Sequence, residues 1–422
     1  MLPATSRQPA TRMSEFEREL SDRLAAIRDQ DLYRELRRVE SPQGPRIWLN
    51  ERSVVNFSSN DYLGLANEPA LKEAAIAAVR AFGAGAGASR LISGSLSPHQ
   101  DLDETIAAFK STEAALSFAT GYAAALGAIG ALVGKEDVII LDKLVHACIV
   151  DAARLSGAKL RVFAHNDLNG VEDILKWADV RARGLTSTGP RRRVLLVTES
   201  VFSMDGDHAP LPELVRLKER YGAWLMVDEA HATGLYGPQR RGLAEELGVS
   251  DRIEVQMGTL GKALGAAGGY ICGSRVLVDY LVNRARPFIF STAPVPAAAA
   301  AATAGIRFVQ TGAGEDRRQA LWQRVQELVS TVKLDPPGVR SAILPLIIGN
   351  EARAAETSAA LRERGLFVPA VRYPTVARGS ARLRVTLTAV HSPADVSLLA
   401  AELGRFALPA RGPFSAADEP IR

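Results

Sequence analysis

A carboxylate, an imidazole and a primary amine stand close together in the stretch that opens WLMVDEAHATG at Trp224 and runs through QMGTLGKALG past Ala263. The apolar run from Ala223 to Val227 reads as a buried parallel strand, and it delivers Asp228 and His231 to its carboxyl end. A second run, from Ile253 to Met257, leads to Thr259, Gly261 and Lys262. Ligand sites of open α/β sheets lie at such strand ends, so the three groups can converge on one cleft.

Pyridoxal phosphate asks for that set. It needs an amine that bonds its aldehyde and a carboxylate beside its ring nitrogen to keep the pyridinium protonated, so that the ring withdraws electrons from a carbanion. Lys262 and Asp228 fit these roles, and His231 fits the ring hydroxyl. Taken singly, each also has a structural reading: an Asp that ends a strand, a solvent-facing Lys, a core His. The joint pattern favours function. The catalytic candidates are Lys262, Asp228, His231 and His146.

Around this stretch the chain alternates strand and helix. TEAALSFATGYAAALG places a strand before Thr120 and a helix at once after it; the free N–H groups and positive dipole of such a helix start make Gly121 and Tyr122 candidates for cradling a phosphate. DVIILDKLVHACIV puts His146 just after a strand, where its ring either stacks on a cofactor or simply begins a helix. LRVFAHND, RVLLVTESVF and the returning AAGGYICGS supply further strands, and PELVRLKERYG and VLVDYLVNRARPF read as helices. Repeated β-α units predict a mostly parallel sheet covered on both faces. Ser14 to about Arg38 reads as an amphipathic helix followed by LYRELRR, and IWLNERSVVNF as a short hairpin. The glycine-rich GAGAGASRLISG tempts toward a dinucleotide fingerprint, but it follows a helix (Pro69–Phe82) and not a strand, so close backbone approach at a domain or subunit contact is the better reading. Beyond Phe308 the pattern becomes a long helix from Asp316 to Lys333, the short strands SAILPLIIG, LFVPAV and ARLRVTLT, and two more helices. The expected domains are an N-terminal helical segment and hairpin (1–55), a large cofactor-binding domain (56–295) and a small α+β domain (296–422).

The 422 residues, 47% of them hydrophobic, suffice for a sizeable core. No apolar run reaches a membrane span, and the alanine-rich run from Pro294 reads as a buried helix. A net charge of +4 arises from 51 basic and 47 acidic residues, a balance that suits small anions better than nucleic acid. The Arg191 to Arg193 run reads as a solvated start to a strand. The two cysteines, Cys148 and Cys272, are too few for a disulfide framework or a metal cluster, so no metal and a reducing cytoplasm are expected. Residues 1–14 hold no acid and superficially resemble a transit segment; a disordered tail is the plainer reading, with Met13 as an alternative start. A second frayed tail is expected from Pro409.

The strings NFSSNDYLGL, ASRLISG, DKLVHA, TESVFSMDGDHAPL, VDEAHATG, GTLGKALG, FSTAPVP and RYPTVARGSARLRVTLTA resemble the α-oxoamine synthases, pyridoxal-phosphate enzymes of the aspartate-aminotransferase fold (type I). The likeness runs from about Asp31 to His391. It implies an α/β transferase fold with a mostly parallel large-domain sheet and a smaller α+β domain, and it implies the decarboxylative condensation of L-alanine with a pimeloyl thioester of coenzyme A or acyl carrier protein, as in biotin synthesis. The alternative is another amino-acid and acyl pair, such as that of glycine C-acetyltransferase. Carried over position by position, the resemblance makes Lys262 the cofactor-bonding lysine and proton shuttle, Asp228 the ring-nitrogen partner, His231 the hydroxyl partner and His146 the stacking group. Gly121, Tyr122 and Thr259 bind phosphate, and Ser203 lies by the cofactor. Thr292 reaches the phosphate of the neighbouring subunit, which implies a homodimer with its site at the interface. Arg34, Asn60, His146, Thr375 and Arg384 contact substrate, and Arg384 clamps the amino-acid carboxylate with its guanidinium fork. Three positions depart from the family pattern: Tyr373 where Pro is usual, Ala125 where Asn is usual and Asp103 where Glu is usual. Tyr373 lies nearest the expected acyl path and so bears on chain-length preference. A simple transaminase would share the Asp and Lys but need no thioester. A non-catalytic regulator on this fold usually carries a DNA-binding module, and the short segment before Asn60 has no helix-turn-helix or basic cluster to serve as one.

Overall fold

The computed structural model describes residues 13–183, 192–332 and 340–406, and the expectations for residues 1–12 and for the tail from Pro409 lie outside these. The first helix, α1 (Glu15–Asp29), is closed by a reciprocal cap in which Ser14 Oγ accepts from the Glu17 N–H while the Glu17 carboxylate accepts from Ser14. It stops at Asp29, before the LYRELRR segment, which is not helical. Asp31 turns with φ 56°, and the Arg372 guanidinium donates to the carbonyls of Asp31 and Tyr33, so this segment is bound to a distant loop instead. The expected hairpin follows as β1 (Arg46–Leu49) and β2 (Arg52–Asn56).

Seven strands form the central sheet: β3 (Ala114–Phe118), β4 (Val138–Asp142), β5 (Lys159–Phe163), β6 (Val194–Glu199), β7 (Trp224–Asp228), β8 (Val255–Thr259) and β9 (Gly269–Gly273). Their order is β3-β9-β8-β7-β6-β4-β5, with β9 antiparallel to both its neighbours and the other pairs parallel. Alternate residues of each strand serve opposite cores. Ile140, Leu196, Leu225 and Val227 face one side, while Ile139, Leu141, Leu195, Val197 and Met226 face the other, which explains the unbroken apolar runs.

The covering helices before the last strand are α2 (Pro69–Phe82), α3 (Ser97–Lys110), α4 (Gly121–Leu132), α5 (Ala147–Ser156), α6 (Leu168–Arg183), α7 (Leu211–Tyr221) and the short α8 (Leu243–Glu246). After β9 come α9 (Arg275–Arg284), α10 (Arg286–Ile289), α11 (Pro296–Val309) and α12 (Gly312–Val332). The single helix expected over VLVDYLVNRARPF is broken at Ala285, because Pro287 has no N–H to continue α9 and instead sits in the first turn of α10. The alanine-rich α11 packs on α2 and α3.

The C-terminal part contains β10 (Ile343–Gly349), α13 (Glu351–Glu363), β11 (Leu366–Phe367), β12 (Ala370–Val371), β13 (Ala381–Thr386) and α14 (Pro393–Leu403). β10, β13 and β12 form an antiparallel sheet, while β11 pairs in parallel with β2 and joins the N-terminal hairpin. This small sheet is tied to the loop after β6 through the buried ion pair of Arg382 with Asp205, and to the segment just after β2 through Thr386 N–H to Phe57 O at 2.9 Å. Among the described residues no helix is long and apolar enough to cross a membrane, and no group of three or more His, Cys, Asp or Glu side chains is arranged to hold a metal ion.

Candidate active site

The carboxyl ends of β6, β7 and β8 meet at one cleft. Asp228 ends β7 and lies in register with Glu199 at the end of β6, so two buried carboxyl groups stand side by side. The turn after Asp228 is held from behind by a buried ion pair: the Glu229 carboxylate accepts from Lys110 Nζ at 2.5 Å and from the Ala244 N–H at 2.9 Å. That turn carries His231 under Lys262, which sits in the turn after β8, with Nζ 2.7 Å from His231 Nε2. His231 Nδ1 is in turn 2.5 Å from the buried Tyr62 hydroxyl.

Burial governs the electrostatics here. It pushes the Asp228 carboxyl above and the Lys262 amine below their ordinary values, while the attraction between the two opposes both shifts. Glu199 is pushed up to about 8 by burial and by the neighbouring Asp228. His231 is held well below the usual imidazole value by burial and by the charges of Lys262 and Arg384. The His146 ring is solvent-accessible yet sits within the cleft, where surrounding protein holds it below its usual value as well; it caps α5, with Nδ1 accepting from the Cys148 N–H at 3.2 Å.

Arg384, on β13, spans the cleft from the small sheet. Its Nε donates to Ser203 O at 2.6 Å, and Nη1 and Nη2 each lie 3.2 Å from Asn60 Oδ1. The arginine, Asn60 and the buried Ser203 therefore meet at one wall. The loop that carries Ser203 is steadied by His165, which lies between Asp142 and Asp207 at 3.0 and 2.6 Å and is raised to about 10 by those two carboxylates against the cost of burial.

The start of α4 forms the remaining wall. Thr120 takes the Ala123 N–H on its hydroxyl and the Ala124 N–H on its carbonyl, which leaves the N–H groups of Gly121 and Tyr122 for a ligand. A Cβ built on Gly121 would stand 3.8 Å from Thr259 Cβ, so the helix start and Thr259 are neighbours. The Tyr122 side chain points elsewhere, to Asp151 at 2.5 Å. Three of the expected residues lie apart from Lys262 in this chain. Thr292 is exposed in an isolated bridge to Ser89, while Arg34 and Thr375 are exposed on two segments that Arg372 ties together. Tyr373, one of the three family departures, is half-exposed with Arg378 over its ring at 4.4 Å. Asp103 pairs with Arg90 at 2.8 Å, and Ala125 is buried in α4.

Sequence inspection passed over two residues of the cleft, Glu199 and Tyr62. Glu199 carried the same signal as Asp228, an acid that closes an apolar strand (VLLVTE beside WLMVD). Tyr62 carried no signal of its own.

The donor set fits pyridoxal phosphate. Glu199 Oε1 is buried without a partner, and among the described residues the Asp228 side chain accepts only from the Ala230 N–H, at 2.9 Å, which leaves acceptors for a protonated ring nitrogen. An amine, an imidazole and free helix-start N–H groups surround the same space.

Residues 52–403 match the family model of aminotransferase class I and II. The chain is 48% identical over 396 residues to 8-amino-7-oxononanoate synthase of Anaeromyxobacter dehalogenans (strain 2CP-1), covering 92% of this chain and 96% of the relative. Among solved structures it is similar to serine palmitoyltransferase from S. paucimobilis with a bound PLP-myriocin aldimine, with a TM-score of 0.83 at 28% identity over 92% of this chain and 96% of that one. It is also similar to 8-amino-7-oxononanoate synthase from Francisella tularensis, with a TM-score of 0.68 at 26% identity over 83% and 98%.

Proposed function

Since the chain belongs to the aminotransferase class I and II family, we propose that it is a pyridoxal-phosphate acyltransferase of the α-oxoamine synthase branch that joins L-alanine to a pimeloyl thioester to give 8-amino-7-oxononanoate for biotin synthesis. The observation that carries the chemistry is the convergence of Lys262, His231, Asp228 and Arg384 on one cleft. The choice of alanine and pimeloyl thioester is supported by the 48% identity to a relative of that name.

Lys262 is the residue that bonds the cofactor, Asp228 the carboxylate for its ring nitrogen and His231 the partner of its ring hydroxyl. Gly121, Tyr122 and Thr259 hold its phosphate, while His146 and Ser203 pack beside its ring. When bound, the cofactor supplies an electron-poor pyridinium that accepts the electron pair left at the amino-acid Cα. Arg384 grips the alanine carboxylate and orients the Cα–H bond, with Asn60, Arg34 and Thr375 lining the substrate path. Lys262, kept toward its neutral amine by burial, removes the Cα proton. Cα then bonds the thioester carbonyl carbon as the C–S bond breaks and the thiolate leaves, to take its proton from solvent; the bond from Cα to the carboxylate breaks to release carbon dioxide, and Lys262 returns to Cα the proton it removed. Thr292 serves the partner's phosphate in a homodimer, a reading supported by its outward position.

A direct assay pairs alanine, glycine and serine in turn with pimeloyl, acetyl, succinyl and palmitoyl thioesters, with mass spectrometry of the products. Alanine with pimeloyl thioester is expected to dominate, and Lys262→Ala to lower product formation by about a thousandfold or more. Dominance of glycine with acetyl thioester would replace the substrate assignment, and unchanged turnover in Lys262→Ala would remove the mechanism.

A further inference from the structure

The hydrogen-bond chain behind Lys262 continues past His231 to a residue with no role in the reaction described so far. Tyr62 is fully buried, and its hydroxyl lies 2.5 Å from His231 Nδ1, on the side of the imidazole away from Lys262. Among the described residues its only other acceptor within reach is Asn60 Oδ1, at 3.4 Å, which already takes two N–H groups of Arg384 at 3.2 Å each. The Arg384 charge also acts on the phenol oxygen, and a positive charge there favours the rotamer that turns the hydroxyl proton away from the guanidinium. One hydroxyl proton is available, and the short, unshared acceptor is Nδ1. We propose that Tyr62 is a positioning residue whose O–H donates to Nδ1 and so fixes the single ring proton of His231 on Nε2, where it faces Lys262.

The supporting physics is local. Burial keeps the phenol protonated, with its pKa pushed up to about 12, so it remains a donor. The charged and titratable groups that act on the imidazole are Lys262, Arg384 and His146, and all three disfavour the imidazolium. A neutral imidazole has one N–H, and donation into Nδ1 places it on Nε2. An N–H aimed at Lys262 Nζ from 2.7 Å suits a neutral amine that accepts and repels an ammonium that donates. Tyr62 thereby helps keep Lys262 ready to take a proton, and once the cofactor is in place the same N–H suits an oxygen acceptor such as its ring hydroxylate.

The inference rests on pyridoxal-phosphate chemistry at Lys262 but not on which amino acid and thioester are joined, so the substrate assay and the test below fail independently. The test is the ¹⁵N spectrum of the full-length enzyme labelled at histidine, with cofactor bound and removed, and with the His231 signals assigned as those lost in His231→Asn. Nε2 is expected to carry the proton in both states. Tyr62→Phe, which removes one oxygen and keeps the ring, is expected to lower the Nε2-protonated fraction. It is also expected to move upward the pH at which the bound cofactor's absorbance changes, because an N–H directed at the ring oxygen favours its ionised form. A proton on Nδ1 in the unaltered enzyme overturns the proposal, as does a Tyr62→Phe enzyme with both readouts unchanged. Should Tyr62→Phe not fold, the tautomer of the unaltered enzyme decides alone.

Discussion

Glu199 shows how a single buried side chain writes itself into pH dependence. Its carboxyl is pushed from the ordinary 4.5 up to about 8, first by burial and then by Asp228 beside it, so the folded chain holds this proton more tightly than the unfolded chain does. Stability linked to it is complete below 4.5 and is lost as pH rises through about 8. Thermal unfolding of the cofactor-free enzyme across that window should show a falling Tm, and Glu199→Gln, which cannot ionise, should flatten the fall. Asp228 shifts in the same direction and remains, so some slope persists; identical slopes in both proteins would show that Glu199 ionises freely in the folded state. The same residue marks the limit of what the sequence made legible. Lys262, Asp228 and His231 stood out because one cofactor asks for those three types at neighbouring strand ends. Glu199 and Tyr62 did not, since Glu and Tyr are common at such places. The partnership of Tyr62 with His231 spans 169 positions that only the folded chain brings together.

At the level of elements, the start of α4 depends on a glycine in another strand. A Cβ at Gly269 on β9 would come within 2.5 Å of Gly121 Cα and 2.6 Å of its nitrogen, so even alanine there must push the helix start away from β9. Gly269→Ala is therefore expected to raise the dissociation constant for pyridoxal phosphate about tenfold or more, since the N–H groups of Gly121 and Tyr122 would no longer be placed for the phosphate. Gly130 on the same helix is exposed and a Cβ there would meet nothing within 4 Å, so Gly130→Ala should leave binding alone and stabilise the helix by roughly 0.4–1 kcal/mol. Absorbance titration with the cofactor distinguishes the two, and wild-type affinity in Gly269→Ala would take the phosphate away from α4. Strand-to-helix turns of this kind were legible in sequence because strands buried on both faces have no polar alternation to confuse them. Segments decided by distant partners were not. LFVPAV reads as one strand, yet Pro369, which has no N–H to extend a ladder, separates β11 on the N-terminal sheet from β12 on the C-terminal one. The course of the segment after α1 likewise depends on Arg372, which donates to the carbonyls of Asp31 and Tyr33.

For the whole molecule, apolar surface that a single chain leaves open offers a contact for the proposed homodimer. The π-helical turn Arg90–Gly94 and the turn before α11 are joined by the Ser89–Thr292 bridge and by the Ala293 N–H on Ala88 O at 2.9 Å. This joined pair of turns presents Ile92 at 81% exposure and Phe290 at 70%, with Leu91 and Val295 also open. Thr292, the residue expected to serve a second chain's phosphate, lies among them and faces outward. Burying side chains such as Ile92 and Phe290 gains about 1.5–3 kcal/mol each, whereas a glutamate in their place brings an unpaired charge into the contact. If the proposed homodimer forms through these turns, the double substitution Ile92→Glu with Phe290→Glu should convert it to single chains in sedimentation and weaken cofactor retention, because each site would lose the Thr292 proposed to come from the second chain. Val276 is equally open at 77%, but it follows β9, whose antiparallel course ends at the edge of the sheet opposite the cleft. Val276→Glu is the matching control and should leave both mass and cofactor retention unchanged. If the double variant sediments as the unaltered enzyme does, or if the unaltered enzyme is itself a single chain, the exposed turns are not the subunit contact, and Thr292 has no partner site to complete.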